Sequence, residues 1–158
     1  MNEQAIQSIV ETVVSKISPK EITLDLAQSV AQKVREKAKK MGVKAVVAIS
    51  NRAACPVLVE SMDDAYIASY DIAVQKAFTV VSLKMSTATL KPLAQPGGSL
   101  YGIQFTNGGK IVIFGGGEPL KNREGQIVGG IGVSGGTEAQ DTALAAYGKE
   151  IFEKGQYL

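Results

Sequence analysis

The chain has no histidine. That absence excludes Ser-His-Asp and Cys-His nucleophilic systems, histidine-bound zinc and an imidazole ligand to haem iron. A single cysteine, Cys55, rules out an internal disulfide and any CxxC metal or redox pair, and fits a reducing, cytoplasmic setting. No apolar run approaches the roughly 20 residues of a membrane span. Basic blocks are equally scarce: none is longer than Lys39-Lys40, and the formal charge is only +2, from 17 basic and 15 acidic residues. Neither nucleic acid nor a membrane is therefore expected as a partner. Any catalysis must come from carboxylates, Lys, Tyr, Ser/Thr or a cofactor.

What is present suits one domain: 158 residues, 45% of them hydrophobic, can bury about two-thirds of the unfolded surface. The first 20 residues stand apart. Ile6, Ile9, Val10, Val13, Val14 and Ile17 recur at spacings of three and four, one stripe of a helix that Pro19 ends. Glu3 near the start, and Gln7, Ser8, Glu11 and Thr12 within the run, argue against a secretory signal. Residues 1–20 therefore read as an amphipathic helix and linker, and residues 21–158 as the domain. The stripe docks either on a partner or on the protein's own body and copies.

Within the domain, Thr23 caps a helix whose Ala27, Val30, Ala31, Val34, Ala38 and Met41 form a buried face, and Gly42 stops it. Residues 43–49 and 57–60 read as a β-hairpin around Asn51-Arg52-Ala53-Ala54. Met62-Asp63-Asp64-Ala65 reads as an acidic helix entrance, followed by a largely buried helix from Ala65 to Lys84. Its Asp71 and Lys76 are five apart and do not pair, so an exposed helix edge is the preferred reading for both. Residues 86–98 read as an irregular connection and residues 110–114 as a strand interrupted by Gly115-Gly116-Gly117. A strand over 126–133 and a helix from Thr137 to about Glu153 complete the chain. The expected fold class is α/β of the α+β type, with an antiparallel sheet of about five strands flanked by helices.

Gly130, Gly132 and Gly135 match the dinucleotide pattern G-x-G-x-x-G. Two of them fall inside the strand and only one helix follows, so the match is accidental. Alternation gives a better account. Val128, Gly130, Gly132 and Ser134 share one face, leaving a bare strip that a backbone, a helix or a flat ligand can approach. Thr137-Glu138-Ala139-Gln140 has the form of a capping box, so Gly135-Gly136 deliver the chain to a helix N-terminus able to hold an anion.

Four ordered motifs then become specific: DIAVQKA at Asp71–Ala77, LYGIQFTN at Leu100–Asn107, IFGGGEPL at Ile113–Leu120 and VGGIGVSGGTEAQD at Val128–Asp141. Together they resemble the GlcG/HbpS family, which includes the C-terminal domain of PduO proteins, over about residues 22–152. The resemblance implies a profilin-like or GlcG-like fold, homo-oligomeric assembly and, in several members, binding of haem or a related tetrapyrrole. The adenosyltransferase chemistry of full-length PduO belongs to a separate domain and is not implied. Residues 1–17 look like the encapsulation peptides that carry cargo to the shell proteins of bacterial microcompartments, which would place the protein in such a lumen. With no histidine, the haem-iron ligands left are Tyr66, Tyr70, Tyr101, Met62 and Cys55. Candidate ligand-binding residues are Gly115, Gly116, Gly117, Pro119, Tyr101, Ser134, Gly135, Gly136 and Thr137, and metal ligands are unassigned.

Three functions fit these observations. The first is a non-catalytic accessory protein that binds a tetrapyrrole or a small carboxylate, packaged in a microcompartment. The second is an enzyme acting on a small oxygenated metabolite, with Lys76 or Asp141 as acid–base groups. The third is an assembly module whose glycine strip is a subunit contact.

Overall fold

The protein is described by a computed structural model, over residues 2–16 and 18–157. Helix α1 (Glu3–Lys16) bears the first apolar stripe, and its Ile6, Ile9, Val10 and Val13 are 45–53% exposed. The side chain of Val14 and all of Ile17 lie outside the described residues. The linker is tied down beyond the helix, where the Ser18 hydroxyl donates to Glu124 and accepts the Arg123 N–H.

Thr23 opens the body by accepting the Leu26 N–H at 3.2 Å, and α2 (Leu24–Lys40) follows. Ala27, Val30, Ala31, Val34 and Ala38 are its buried face, and Gly42 ends it at φ +70°. The hairpin forms from β1 (Val46–Asn51) and β2 (Pro56–Ser61), antiparallel with one register shift. Helix α3 (Ile67–Ser82) then crosses the sheet, but the acidic entrance does not cap it. Tyr66 occupies the cap position without a side-chain bond, while Asp64 turns left-handed, at φ +61°, and pairs with Lys44.

Two segments depart from expectation for identifiable reasons. Residues expected to be irregular contain α4 (Thr87–Leu93), capped by Ser86, with Pro92 confined to its last turn. Residues 110–114 run without ladder pairing because α3 satisfies them instead: the Val112 N–H donates to Thr79 Oγ1 at 3.0 Å. The glycine run accordingly precedes a strand rather than interrupting one, and β3 is Gly117–Lys121. With β4 (Ile127–Ser134), the sheet has, among the described residues, four strands in the order β2-β1-β4-β3, all antiparallel, where about five were expected. Helix α5 (Glu138–Glu153) closes the fold under a complete capping box at Thr137 and Gln140.

Helices α2 and α5 pack with Val47, Ile49, Ile131 and Val133 on one face of the sheet, and α3 lies on the other with Val46 and Ala48. The bare strip is the seat of α3. A Cβ at Gly132 would fall 2.0 Å from the Ala73 carbonyl oxygen and 2.7 Å from the Ala77 nitrogen. At Gly130 it would meet Val80 and the Ala77 carbonyl. Of the approaches open to that strip, the helix takes it, and no ligand can share the space.

Register places the start of β1 beside the ends of β2 and β4, with Val46 opposite both Ser61 and Ser134. The start of β3 belongs to the same end, since Gly117 faces Gly132. The Asn51–Cys55 turn and the Asn122–Gln126 turn, where the α1 linker is tied, form the opposite end.

Candidate functional site

The side chain of Lys76 leaves the middle of α3 and is wholly buried, not on an exposed edge as the spacing suggested. Its ammonium donates to the Val133 carbonyl at 2.7 Å and to Asp141 Oδ2 at 3.2 Å, and lies 5.0 Å from the centre of the Phe114 ring. Asp141, in the first turn of α5, accepts the Gly136 N–H on its other oxygen at 2.8 Å. One ion pair thus ties α3 to the end of β4, to the Gly135–Gly136 loop and to α5. Burial holds the Lys76 ammonium below its ordinary value, opposed by the charge and hydrogen bond of Asp141 and then by Glu138. Gly116 is required above this pair: its φ is +116° and a Cβ would lie 2.5 Å from the ammonium. Asp71, in contrast, is exposed.

Over this foundation lies a cleft of about 400 Å³. Ala68, Ile72 and Phe114 make its apolar wall, Ser134, Gly135 and Gly136 its floor, and Glu138 and Asp141 its acidic end. Tyr66 stands at the rim, 73% exposed, and also borders a second hollow of about 520 Å³ that shares Gly135 and Gly136 and adds Lys44, Asp64, Thr137 and Gln140. Glu138 accepts the Gly115 N–H on one oxygen and Lys91 on the other. These partners, Lys91 first, hold its carboxyl below the usual carboxylate range.

Of the residues expected at a site, the fold gathers Ser134, Gly135, Gly136 and Thr137 around this groove. It does not bring the others to the groove. Gly115 is blocked by Thr142 and Glu138, and Gly117 by Thr87 and Val80, with its N–H donated to Thr87 Oγ1. Pro119 is buried in β3 opposite Gly130, and Tyr101 is exposed in the turn before residues 103–105. The indentation expected over residues 115–117 and 130–136 therefore narrows to residues 134–136 and their surroundings.

The anion anchor expected at the α5 N-terminus is largely used internally. The Gly136 N–H goes to Asp141, the Thr137 N–H to Gln140 Oε1 and the Gln140 N–H to Thr137 Oγ1. The iron-ligand candidates separate as clearly. Met62 Sδ accepts the Ala45 N–H, and Cys55 lies in the hairpin turn at the far end of the sheet. Tyr66 borders the groove, and Tyr70 is half-exposed one turn further along α3. Sequence reasoning missed Phe114, Glu138 and Lys44, which meet only through tertiary packing. A lysine amid Ala73, Val74, Ala77 and Val80 was the one available signal of a buried partner.

The chain also matches known proteins. A model of the family described as haem-degrading protein HbpS-like matches residues 22–150. An uncharacterized 15.0 kDa protein of the dhaT-dhaS intergenic region of Citrobacter freundii is 41% identical over 133 residues, which is 84% of this chain and 93% of that protein. The corrinoid adenosyltransferase PduO of Salmonella typhimurium is 39% identical over 108 residues, 68% of this chain but 32% of that protein; this chain spans about a third of its length. Among solved structures, a PduOC–haem complex superposes with a TM-score of 0.78 at 33% identity, covering 82% of this chain and 94% of that one.

Proposed function

Because the chain belongs to the HbpS-like family, we propose that it is an accessory protein that binds haem or a related tetrapyrrole in the groove between Tyr66, Phe114 and Gly135–Gly136. The observation that carries this reading is the groove itself: an apolar wall of Ala68, Ile72 and Phe114 facing a floor without side chains at Gly135 and Gly136. A flat macrocycle suits such a slot, and a related chain forms a haem complex. Tyr66 is the iron ligand that fits. It stands at the rim, and its hydroxyl makes no hydrogen bond among the described residues, so a phenolate is free to bind ferric iron. Bound haem would supply redox and ligand-exchange chemistry. The chain's own residues would orient the ring by stacking on Phe114, and Tyr66 would supply an oxygen ligand to the iron.

A small carboxylate suits the site less well, since the N–H groups of Gly136, Thr137 and Gln140 at the α5 entrance already bond within the chain. The enzyme reading is less favoured, because Lys76 is enclosed and bound to Val133 and Asp141, and the other acid–base candidate, Asp141, is engaged by Lys76 and the Gly136 N–H. Packaging in a microcompartment, through α1 docking on a shell protein, is supported by the exposed stripe of Ile6, Ile9, Val10 and Val13. Assembly as a homo-oligomer belongs to the same reading.

Titration with haemin tests the central point. The expected result is a saturable Soret band at one haemin per chain, with a Tyr66→Phe variant that still binds but loses the phenolate charge-transfer signature. Absence of a Soret shift at micromolar protein would remove the tetrapyrrole. For packaging, residues 1–20 fused to a fluorescent protein should form foci in shell-expressing cells, and diffuse signal would defeat targeting.

A further inference from the structure

The groove continues past Tyr66. Gly42, Val43, Lys44 and Asp64 border its polar half and also wall a third hollow of about 740 Å³ whose far side carries Arg35, Lys39, Glu60 and Asp63. Lys44 is the cation common to both hollows. At the other end of the groove the charged residues are Glu138 and Asp141, each already bonded to a lysine and a backbone N–H. A ligand carboxylate placed there would meet two carboxylates.

At the Lys44 end it would meet an ammonium whose present partner is readily exchanged. The Lys44–Asp64 pair is 3.0 Å long with side chains 59% and 79% exposed, the kind of ion pair that contributes little and is open to competition. Asp64 sits on a left-handed turn from which its carboxylate can swing to water. Behind it, Arg35 is engaged with Glu60, while Lys39 and Asp63 have no ion-pair partner among the described residues. Lys39 is thus a second cation in reach of the hollow, and Asp63 limits how much negative charge it accepts.

We propose that Lys44 is the specificity-determining residue of this groove. It receives a carboxylate side chain of a flat apolar ligand and so sets that ligand with its acidic edge toward α2 and its bare edge toward Ile72. The inference rests on the tetrapyrrole reading and adds to it an orientation and a preference for free propionates over esters.

Haemin and haemin dimethyl ester, delivered in the same co-solvent, separate the two claims when titrated into the full chain. Wild type is expected to bind haemin more tightly than the diester. Lys44→Gln should weaken haemin by about two- to fivefold and leave the diester unchanged. Added salt should weaken haemin binding to wild type alone. Asp64→Asn, which removes the competing carboxylate, should tighten haemin. If haemin binds and Lys44→Gln changes both ligands equally or neither, the orientation is wrong and the haem site survives. If wild type binds neither ligand, the haem reading fails and this inference fails with it.

Discussion

Replacing Lys76 by Met keeps the volume of the side chain and removes its charge. Two acceptors then lose their donor. The Val133 carbonyl loses its 2.7 Å bond, and Asp141, only 4% exposed, keeps the Gly136 N–H but loses its counter-ion. A buried acceptor left unsatisfied costs about 1–3 kcal/mol, and breaking a buried pair from one side about 3–5 kcal/mol in all. For a chain of this length that corresponds to a fall of roughly 6–20 °C in melting temperature. Thermal unfolding followed by circular dichroism reads it directly. Lys76→Met with Asp141→Leu should recover much of the loss, because replacing both partners removes the stranded carboxylate. The pH dependence has a definite sign. The folded ammonium titrates below its ordinary 10.5, so the folded state sheds its proton first and the unfolded state binds more protons in the window between. Stability from this group therefore rises with pH up to 10.5 and is lost as pH falls through the folded value. Wild type should gain on Lys76→Met as pH rises from the folded value toward 10.5. A single-variant cost under about 1 kcal/mol, or a difference independent of pH there, would refute the reasoning.

Gly132→Ala forces a methyl into the backbone of α3, 2.0 Å from the Ala73 carbonyl oxygen, and should cost roughly 3 kcal/mol or more or abolish folding, judged by chemical denaturation. An ordinary melting curve would show that α3 does not seat on the strip. Deleting residues 1–17 should leave the melting temperature of the body within about 3 °C, the equivalent of some 1 kcal/mol, since Ile6, Ile9, Val10 and Val13 of α1 are exposed. A large loss would mean that the stripe packs on the protein itself.

Elements set by local periodicity were legible in advance. The face of α2 alternates at helical spacing, and the β1–β2 hairpin is bounded by a turn. The glycine alternation on β4 correctly indicated a close approach, but only the fold shows that the visitor is α3. Local signals failed where a distant group satisfied the backbone. Thr79 takes the Val112 N–H, so residues 110–114 need no sheet partner, and Lys44 draws Asp64 away from the helix entrance it was expected to cap. Pro92 concealed α4 because a proline in the last turn reads in sequence like a breaker. The site was less legible than the fold. Lys76 and Asp141 are 65 residues apart, and neither shows a partner in its own neighbourhood. Phe114 and Tyr66 meet at one groove only because the start of β3, the end of β4 and the start of α3 share one end of the sheet.

The position of iron in crystals of the haemin-loaded protein, located from its anomalous scattering, tests the binding claim most directly. The groove predicts one peak per chain, within bonding reach of the Tyr66 hydroxyl and with the macrocycle against Phe114 and Gly135–Gly136. A peak beside Cys55 or Tyr101, with the groove empty or filled by the protein's own side chains, would contradict it.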